Sequence, residues 1–372
     1  MAGLRVAEIH WTSPPVIGGV ETHVECLSEQ LRDSGTQVDM FSGTADSTAA
    51  VYRQVLDIEA GQPTTEHLTA LVSELSGYDV VHWHNPQWHK PAVTIEVLQR
   101  IQDAPGSVTM MICDIHNLAD DDTQWRVLGD DRWTHTLVHS DFVRSHVVQR
   151  VPARQPAVAP LALTRTPDAS PLTAWKGTLV LQPTRLSRWK GSHLSLRAAG
   201  ELLDEGLDFT FVHAGAVNRV WATDLDEVLE GCDRWIKADR IRMISYGWRQ
   251  SWSAIAQADL VLHPSADRGI RGEPFSLSAA QAVITGRPLV ASTSGNLPEL
   301  LTSYRPKRLV SPGDYGELKT AVREMLTAGY GVAAATDTAL GRALATSFAS
   351  AGQWHRAVFA ELASASSRSA RC

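Results

Sequence analysis

Two cations and a polar block that opens a helix carry the strongest chemistry in the sequence. Gln182-Pro183-Thr184-Arg185-Leu186 leaves an apolar run that reads as a strand, and Arg188-Trp189-Lys190-Gly191 precedes the next amphipathic run. Arg185 and Lys190 are thus fixed positive charges at a strand's carboxyl end, where a diphosphate needs them. Further on come Pro264-Ser265, Gly272-Glu273-Pro274-Phe275-Ser276-Leu277, Gln281 with Gly286-Arg287-Pro288, and Asn296-Leu297-Pro298-Glu299. They read as a strand, a polar loop, a helix, a turn and another strand. A helix beginning just after Phe275 offers free backbone N–H groups and the positive end of its dipole, which stabilise a phosphate without any metal. Glu273 lies just ahead of that helix, placed to accept hydrogen bonds from sugar hydroxyls. Gln281 is about two turns further on and on roughly the same face. Either cation alone is as readily a surface ion-pair partner; the three features together make coincidence a poor account.

The amino-terminal half holds weaker signals. Gly18-Gly19 sits between a strand and a helix, where glycine allows a tight turn and close backbone approach to an anion. His82, His84 and His89 could suggest a metal site, since histidine is a common ligand, and His82 and His84 alternate on a strand and point the same way. No carboxylate or cysteine at metal-ligand spacing accompanies them along the chain, so hydrogen bonding to a sugar or phosphate, or packing, is favoured over a metal site, and no metal is expected. Trp11, Trp83, Trp88, Trp125 and Trp133 fall at or near loops. Core burial is the commoner fate of any one tryptophan, but as a group some are expected to line a pocket for a polar ring. Asp120-Asp121-Asp122 reads as a solvated acidic loop or a contact for a cationic acceptor. Arg144, His146, Arg150 and Arg154 read as a solvated basic face rather than a membrane-binding one.

These residues need a scaffold, and the hydrophobic pattern supplies one. Short apolar runs bounded by turn residues alternate with amphipathic stretches, as in a parallel sheet covered on both faces. The strands are expected at Leu4–Ile9, Thr36–Ser42, Val80–His84, Val108–Cys113 and Thr136–His139, with Val51–Leu56 as a further candidate. The pattern pauses over Val151–Ser170, which carries Pro152, Pro156, Pro160 and Pro167 and reads as a linker with one short strand. It restarts with strands at Gly177–Gln182, Phe209–Ala214, Arg240–Ser245, Leu260–His263 and Leu289–Ser292. Two βαβ series imply an α/β protein of two Rossmann-like, doubly wound domains, spanning residues 1–170 and 171–349. A helix over Ser350–Leu362 is expected to pack back on the first.

With 372 residues, 34 Lys plus Arg against 41 Asp plus Glu, and a net charge of −7, the composition is globular and mildly acidic. That argues against a nucleic-acid partner, because phosphate-backbone binding is driven by positive charge. Cys26, Cys113, Cys232 and Cys372 show no paired spacing, so a disulfide scaffold is not expected and a reducing cytoplasm fits. No leader peptide and no transmembrane run is expected either.

Taken in order, several short motifs resemble the retaining glycosyltransferases of family GT4, which have the GT-B fold, two Rossmann-like domains facing across a cleft. They are Gly18-Gly19-Val20-Glu21-Thr22-His23, Asp79-Val80-Val81-His82-Trp83-His84-Asn85-Pro86, Val138-His139-Ser140-Asp141-Phe142, Arg185 with Lys190-Gly191, His213-Ala214-Gly215, Tyr246-Gly247, Ala258 through Ser265, and the Glu273 block. The resemblance implies a nucleotide-diphosphate sugar, by family frequency a UDP-sugar, bound by the carboxyl-terminal domain. It implies an acceptor bound by the amino-terminal domain, and no cofactor beyond the donor itself. Arg185 and Lys190 would neutralise the diphosphate and Glu273 would contact the sugar. Gly18, Gly19, Tyr246, Gly247, Pro274, Phe275, Ser276, Leu277 and Gln281 would hold the donor. Gln281 stands where the family carries a glutamate on the ribose, and an amide lacks the charge that strengthens such a bond.

The family's His-Asp pair at a strand end corresponds to Cys113 and Asp114, with His116 two residues later. Either His116 fills the catalytic role or Cys113 leaves it empty; His116 is favoured. Trp11, His82, His84, Trp88 and Asp114 are the expected acceptor side. The acceptor is read as a small hydroxylated molecule, such as an aminocyclitol or another specialised metabolite of natural-product biosynthesis. Two other readings stay open: a GT-B-like sugar-nucleotide epimerase or hydrolase, and a non-catalytic relative.

Overall fold

The computed structural model describes residues 3–44, 48–104, 109–164, 172, 174–215, 226–246, 248–266, 272–328 and 339–369. The chain divides into two compact units, 1–164 with 347–372, and 165–346.

Unit 1 runs β1 (Arg5–Ile9), α1 (Gly19–Asp33), β2 (Gln37–Phe41), α2 (Ala50–Leu56), α3 (Thr65–Leu75), β3 (Val80–His84), α4 (Pro91–Asp103), β4 (Met110–Ile115), α5 (Asp122–Leu128), β5 (His135–Val138), α6 (Asp141–Arg150) and β6 (Ala157–Val158). Its six strands pair in the order β2-β1-β3-β4-β5-β6, all parallel. Every residue of β3 and β4 is buried, as expected of central strands covered on both faces. The register sets Glu8 beside His82, and His84 beside Asp114.

Val51–Leu56 is not a strand. It forms the helix α2, with Val55 and Leu56 buried on one side. A six-residue apolar run fits either period, and packing of α2 against α3 decides it. Helices α5 and α6 were not foreseen because each is short and polar. They are fixed by side-chain caps: Asp121 accepts from the N–H groups of Thr123 and Gln124, and Ser140 accepts from that of Val143.

Unit 2 runs β7 (Thr178–Gln182), a 3-10 turn (Arg188–Lys190), α7 (Ser192–Asp204), β8 (Phe209–Ala214), α8 (Asp226–Lys237), β9 (Ile241–Ile244), α9 (Trp248–Gln257), β10 (Leu260–His263), α10 (Leu277–Ile284), β11 (Leu289–Ser292), α11 (Leu297–Leu300), β12 (Lys307–Val310) and α12 (Tyr315–Thr327). The sheet order is β12-β11-β10-β7-β8-β9, again parallel. Strand β12 was not foreseen: Lys307 and Arg308 interrupt its apolar run, which an edge strand tolerates.

The last helices are α13 (Ala339–Ala349) and α14 (Ala351–Ser369). α14 belongs to unit 1 and packs on α1. Gln30 ties the return of the chain: its side chain donates to the Phe348 carbonyl (3.0 Å) and accepts from the Gly352 N–H (2.8 Å).

Candidate active site

In unit 2 the expected donor residues converge. The Lys190 ammonium straddles the Glu273 carboxylate, at 2.8 Å from Oε1 and 2.6 Å from Oε2. Ser265 Oγ donates to Glu273 Oε2 at 2.8 Å, and the Glu273 N–H donates to Ser294 Oγ at 3.1 Å. Two glycines make this approach possible. Gly191 has φ +71°, and a Cβ there would strike the Pro264 carbonyl; Gly295 has φ +54°, and a Cβ would strike the Glu273 backbone. The Gln182 side chain donates to the Lys190 carbonyl (2.8 Å) and fixes the turn that presents the lysine. Ser276 caps α10, accepting from the Ala279 N–H at 3.1 Å, and its hydroxyl also meets His263 Nε2 at 2.6 Å.

Electrostatics match this packing. Burial pushes the Glu273 carboxyl up, but Lys190, His263 and the hydrogen bonds outweigh it and hold it below its usual value. Desolvation brings Lys190 below the ordinary lysine value although Glu273 opposes the shift. Burial lowers His263 to about 4 and His213 to about 3, so both rings are neutral. Arg185 is exposed and has no ion-pair partner among the described residues. The result is a buried, mutually neutralised cation–carboxylate pair beside a free guanidinium and a helix N-terminus, able to accept an anion and a polyol together.

Unit 1 holds a second polar cluster, entirely inside the sheet. His82 lies between two carboxylates, with Nδ1 2.9 Å from Glu8 and Nε2 3.0 Å from Asp114. His84 Nε2 meets Glu8 at 2.7 Å and its Nδ1 meets His116 Nε2 at 3.0 Å. His139 Nε2 is 2.8 Å from Asp114. Burial pushes the Glu8 carboxyl up, but His82 and His84 overcome it and hold it at about 2. Burial lowers His82, yet the two carboxylates lift it to about 10. His116, governed by desolvation, falls to about 3. The expectation that no carboxylate accompanies the histidines is therefore corrected: Glu8 and Asp114 arrive from neighbouring strands, which spacing along β3 cannot reveal.

Residues 177–328 match the family described as "Glycosyl transferases group 1". A 2-deoxystreptamine glucosyltransferase of Streptomyces kanamyceticus is 27% identical over 143 residues, 38% of this chain and 34% of that relative, so the match spans about a third of the relative's length. Among solved structures, a glycosyltransferase from Rickettsia africae superposes with a TM-score of 0.73 at 12% identity, covering 97% of this chain and 99% of that one. The Anabaena protein HepE in complex with UDP and glucose gives 0.71 at 15% identity, over 96% and 100% of the two chains. The fold is GT-B.

Within this GT-B fold only some of the expected site residues come together. Lys190, Glu273, Ser276 and Leu277 gather at the start of α10, and Arg185, Pro274 and Phe275 lie in the loops leading to Lys190 and to that helix. Gln281 is buried and donates to Ser251 Oγ at 2.8 Å, which ties α10 to α9. The Tyr246 hydroxyl is buried without a partner among the described residues. Gly247 lies outside the described residues. Gly18 and Gly19 open α1, but Gly18 is extended (φ −166°), a conformation any residue adopts. What distinguishes Gly18 is the Glu21 carboxylate folded over its Cα, itself held by Thr12 Oγ1 at 2.7 Å.

On the acceptor side, Trp11, His82, His84 and Asp114 are at most 1% exposed and offer no surface to a ligand. Trp11 donates to the Asn85 carbonyl (2.8 Å) and packs on Trp83, the structural fate of a tryptophan. Trp88 is half-buried against the same core. Only His116, just beyond β4, reaches the surface of the cluster, and its Nδ1 has no partner among the described residues. The Asp120–Asp122 loop caps α5, while Arg144 and Arg150 pair with Asp141 and Asp122. Sequence reasoning missed Glu8, His355 and Ser294, and quoted His23, His139 and Ser265 only within motifs, with no role of their own. Glu8 left one trace, a carboxylate in the middle of an apolar strand run.

Proposed function

We propose that the chain is a retaining glycosyltransferase that moves a sugar from a nucleotide-diphosphate sugar, a UDP-sugar, to a small hydroxylated acceptor of the aminocyclitol class. The observation that carries this reading is the Lys190–Glu273 pair at the start of α10, inside the stretch that matches group 1 glycosyl transferases. The solved complex of HepE with UDP and glucose supports the donor class, and the 2-deoxystreptamine glucosyltransferase supports the acceptor class.

On donor binding, Lys190 exchanges Glu273 for the diphosphate, and Arg185 and the free α10 amides share the phosphate charge. Glu273, released from the lysine, accepts from the sugar hydroxyls. The bond from the anomeric carbon to the phosphate oxygen breaks with its electron pair on the nucleoside diphosphate. The acceptor oxygen bonds to the same face of that carbon, and its proton passes to the departing phosphate. Protein groups stabilise charge that develops in the transition state and supply no nucleophile, so the diphosphate needs no metal and the donor is the only co-substrate. His116 Nδ1 is the nitrogen free to meet the sugar. Gln281 would reach the ribose only by giving up Ser251. A cytoplasmic setting fits Cys26, Cys113 and Cys232, which are free thiols.

The test is incubation of the protein and an aminocyclitol acceptor with labelled UDP-, GDP- and dTDP-sugars. A new glycoside with unchanged anomeric configuration by NMR is the expected product. Epimerised donor would assign the epimerase reading instead, and donor binding with no turnover would assign the non-catalytic one.

A further inference from the structure

Three polar atoms of the unit 1 cluster form a triangle of metal-ligand dimensions. His84 Nδ1 is 3.0 Å from His116 Nε2 and 3.3 Å from Asp114 Oδ2, and His116 Nε2 is 3.6 Å from Asp114 Oδ2. Donor atoms on a tetrahedral divalent ion with metal–nitrogen distances of about 2.05 Å stand roughly 3.3 Å apart. Three atoms at the separations seen here share a point about 2.0 Å from each, just off their common plane, where such an ion would sit. We propose that His84, Asp114 and His116 form a three-ligand site for one Zn²⁺ ion.

The hydrogen bonds around the triangle fix the required tautomer. Glu8 accepts at His84 Nε2 (2.7 Å), which puts the ring proton there and leaves the Nδ1 lone pair facing the site. This is the carboxylate–histidine–metal arrangement that orients a ligand ring and raises its basicity. Asp114 is braced in the same way, by His82 Nε2 at 3.0 Å and His139 Nε2 at 2.8 Å. The two carboxylates also supply negative charge to a buried dication. His116 is the least buried member, so on metal uptake its Nε2 proton can move to Nδ1 or to solvent.

A ring nitrogen of His23 lies within 4.8 Å of the other three ligand atoms. Its Nδ1 accepts from the Ala162 N–H at 2.8 Å, which keeps the proton on Nε2, and Nε2 is buried with no hydrogen-bond partner among the described residues. His23 is therefore a donor beside the site, suited to hold an oxygen in the fourth position. Two other groupings in the same cluster use His82, whose nitrogens are both already committed to carboxylates. The proposal does not depend on glycosyl transfer, because metal binding is read without donor or acceptor.

The experiment uses the full chain stripped with a chelator, dialysed, and titrated with Zn²⁺ alone, with Co²⁺ as a spectroscopic stand-in. One equivalent should bind, and Co²⁺ should give the intense visible bands of a tetrahedral site. His116→Ala, at the cluster's most exposed position, should abolish stoichiometric binding with unchanged circular dichroism. Glu8→Gln should weaken binding by about 10–100-fold. Failure of the wild-type chain to bind one equivalent overturns the proposal, as does a pale octahedral Co²⁺ spectrum or equal binding by folded His116→Ala. Should either variant not fold, the wild-type titration and spectrum decide alone.

Discussion

Unit 2 keeps its charged residues where a ligand can exchange with them, whereas unit 1 locks its own away. Lys190 and Glu273 form a single pair whose lysine side chain is 12% exposed, flanked by the exposed Arg185 and a helix start. Glu8, His82, His84 and Asp114 have no exposure at all and contact one another across three adjacent strands. A pair of the first kind can be opened by an incoming phosphate, because the new anion replaces the carboxylate on the lysine. A network of the second kind resists opening, since losing any member strands a buried charge. The contrast is between one ion pair open to exchange and a network held closed on every side.

The sharpest way to break that contrast is Glu8→Leu. It removes the carboxylate at His82 Nδ1 and His84 Nε2, leaving Asp114 alone to face both rings, and should cost about 3–5 kcal/mol of stability, measured by urea unfolding. A loss under 1 kcal/mol would mean that the network is not sealed. Lys190→Ala should lower turnover by about 10²–10³-fold, the scale of removing one charge-stabilising donor, and should also lower the unfolding midpoint, because it leaves the buried Glu273 carboxylate without its cation. Unchanged turnover would take Lys190 out of the site.

The pH dependence separates the units next. His82 is raised from 6.5 to about 10, so its contribution is complete below pH 6.5 and disappears as pH rises toward 10. His213 and His263 in unit 2 are lowered to about 3 and about 4. The unfolded chain takes up protons there that the folded chain refuses, so their contribution disappears as pH falls from 6.5 through those values. Calorimetry from acid to alkaline pH should show a melting temperature that falls at the alkaline end, which His82→Gln flattens, and at the acid end, which His263→Gln flattens. The smallest effect is expected for Gln281→Glu. Restoring a charge beside Ser251 should tighten nucleotide binding by no more than about tenfold, the difference between a neutral and a charge-assisted hydrogen bond, as read by calorimetric titration with UDP.

Much of this was legible in the sequence. The parallel βαβ rhythm follows from runs such as Val80–His84 and Leu260–His263, where consecutive residues are all buried and apolar side chains dominate. Lys190-Gly191 and Gly272-Glu273-Pro274-Phe275 were legible because their chemistry is local: a glycine for the close approach, a lysine, and a carboxylate ahead of a helix. Val51–Leu56 was misread because six apolar-rich residues satisfy two periods. That His82, His84 and Trp11 are buried was not legible, because position near a strand end does not reveal depth in the sheet.

The sequence by itself determined two doubly wound sheets and the residues at the start of α10, since both depend on patterns within a few residues or one helical turn. Only the tertiary structure decided that Glu8 would meet His84, 76 residues away, and that Asp114 would lie beside both histidines of β3. The physical reason is lateral pairing. In a parallel sheet, neighbouring strands are joined by long crossovers, so side chains that touch across strands leave no fixed spacing along the chain.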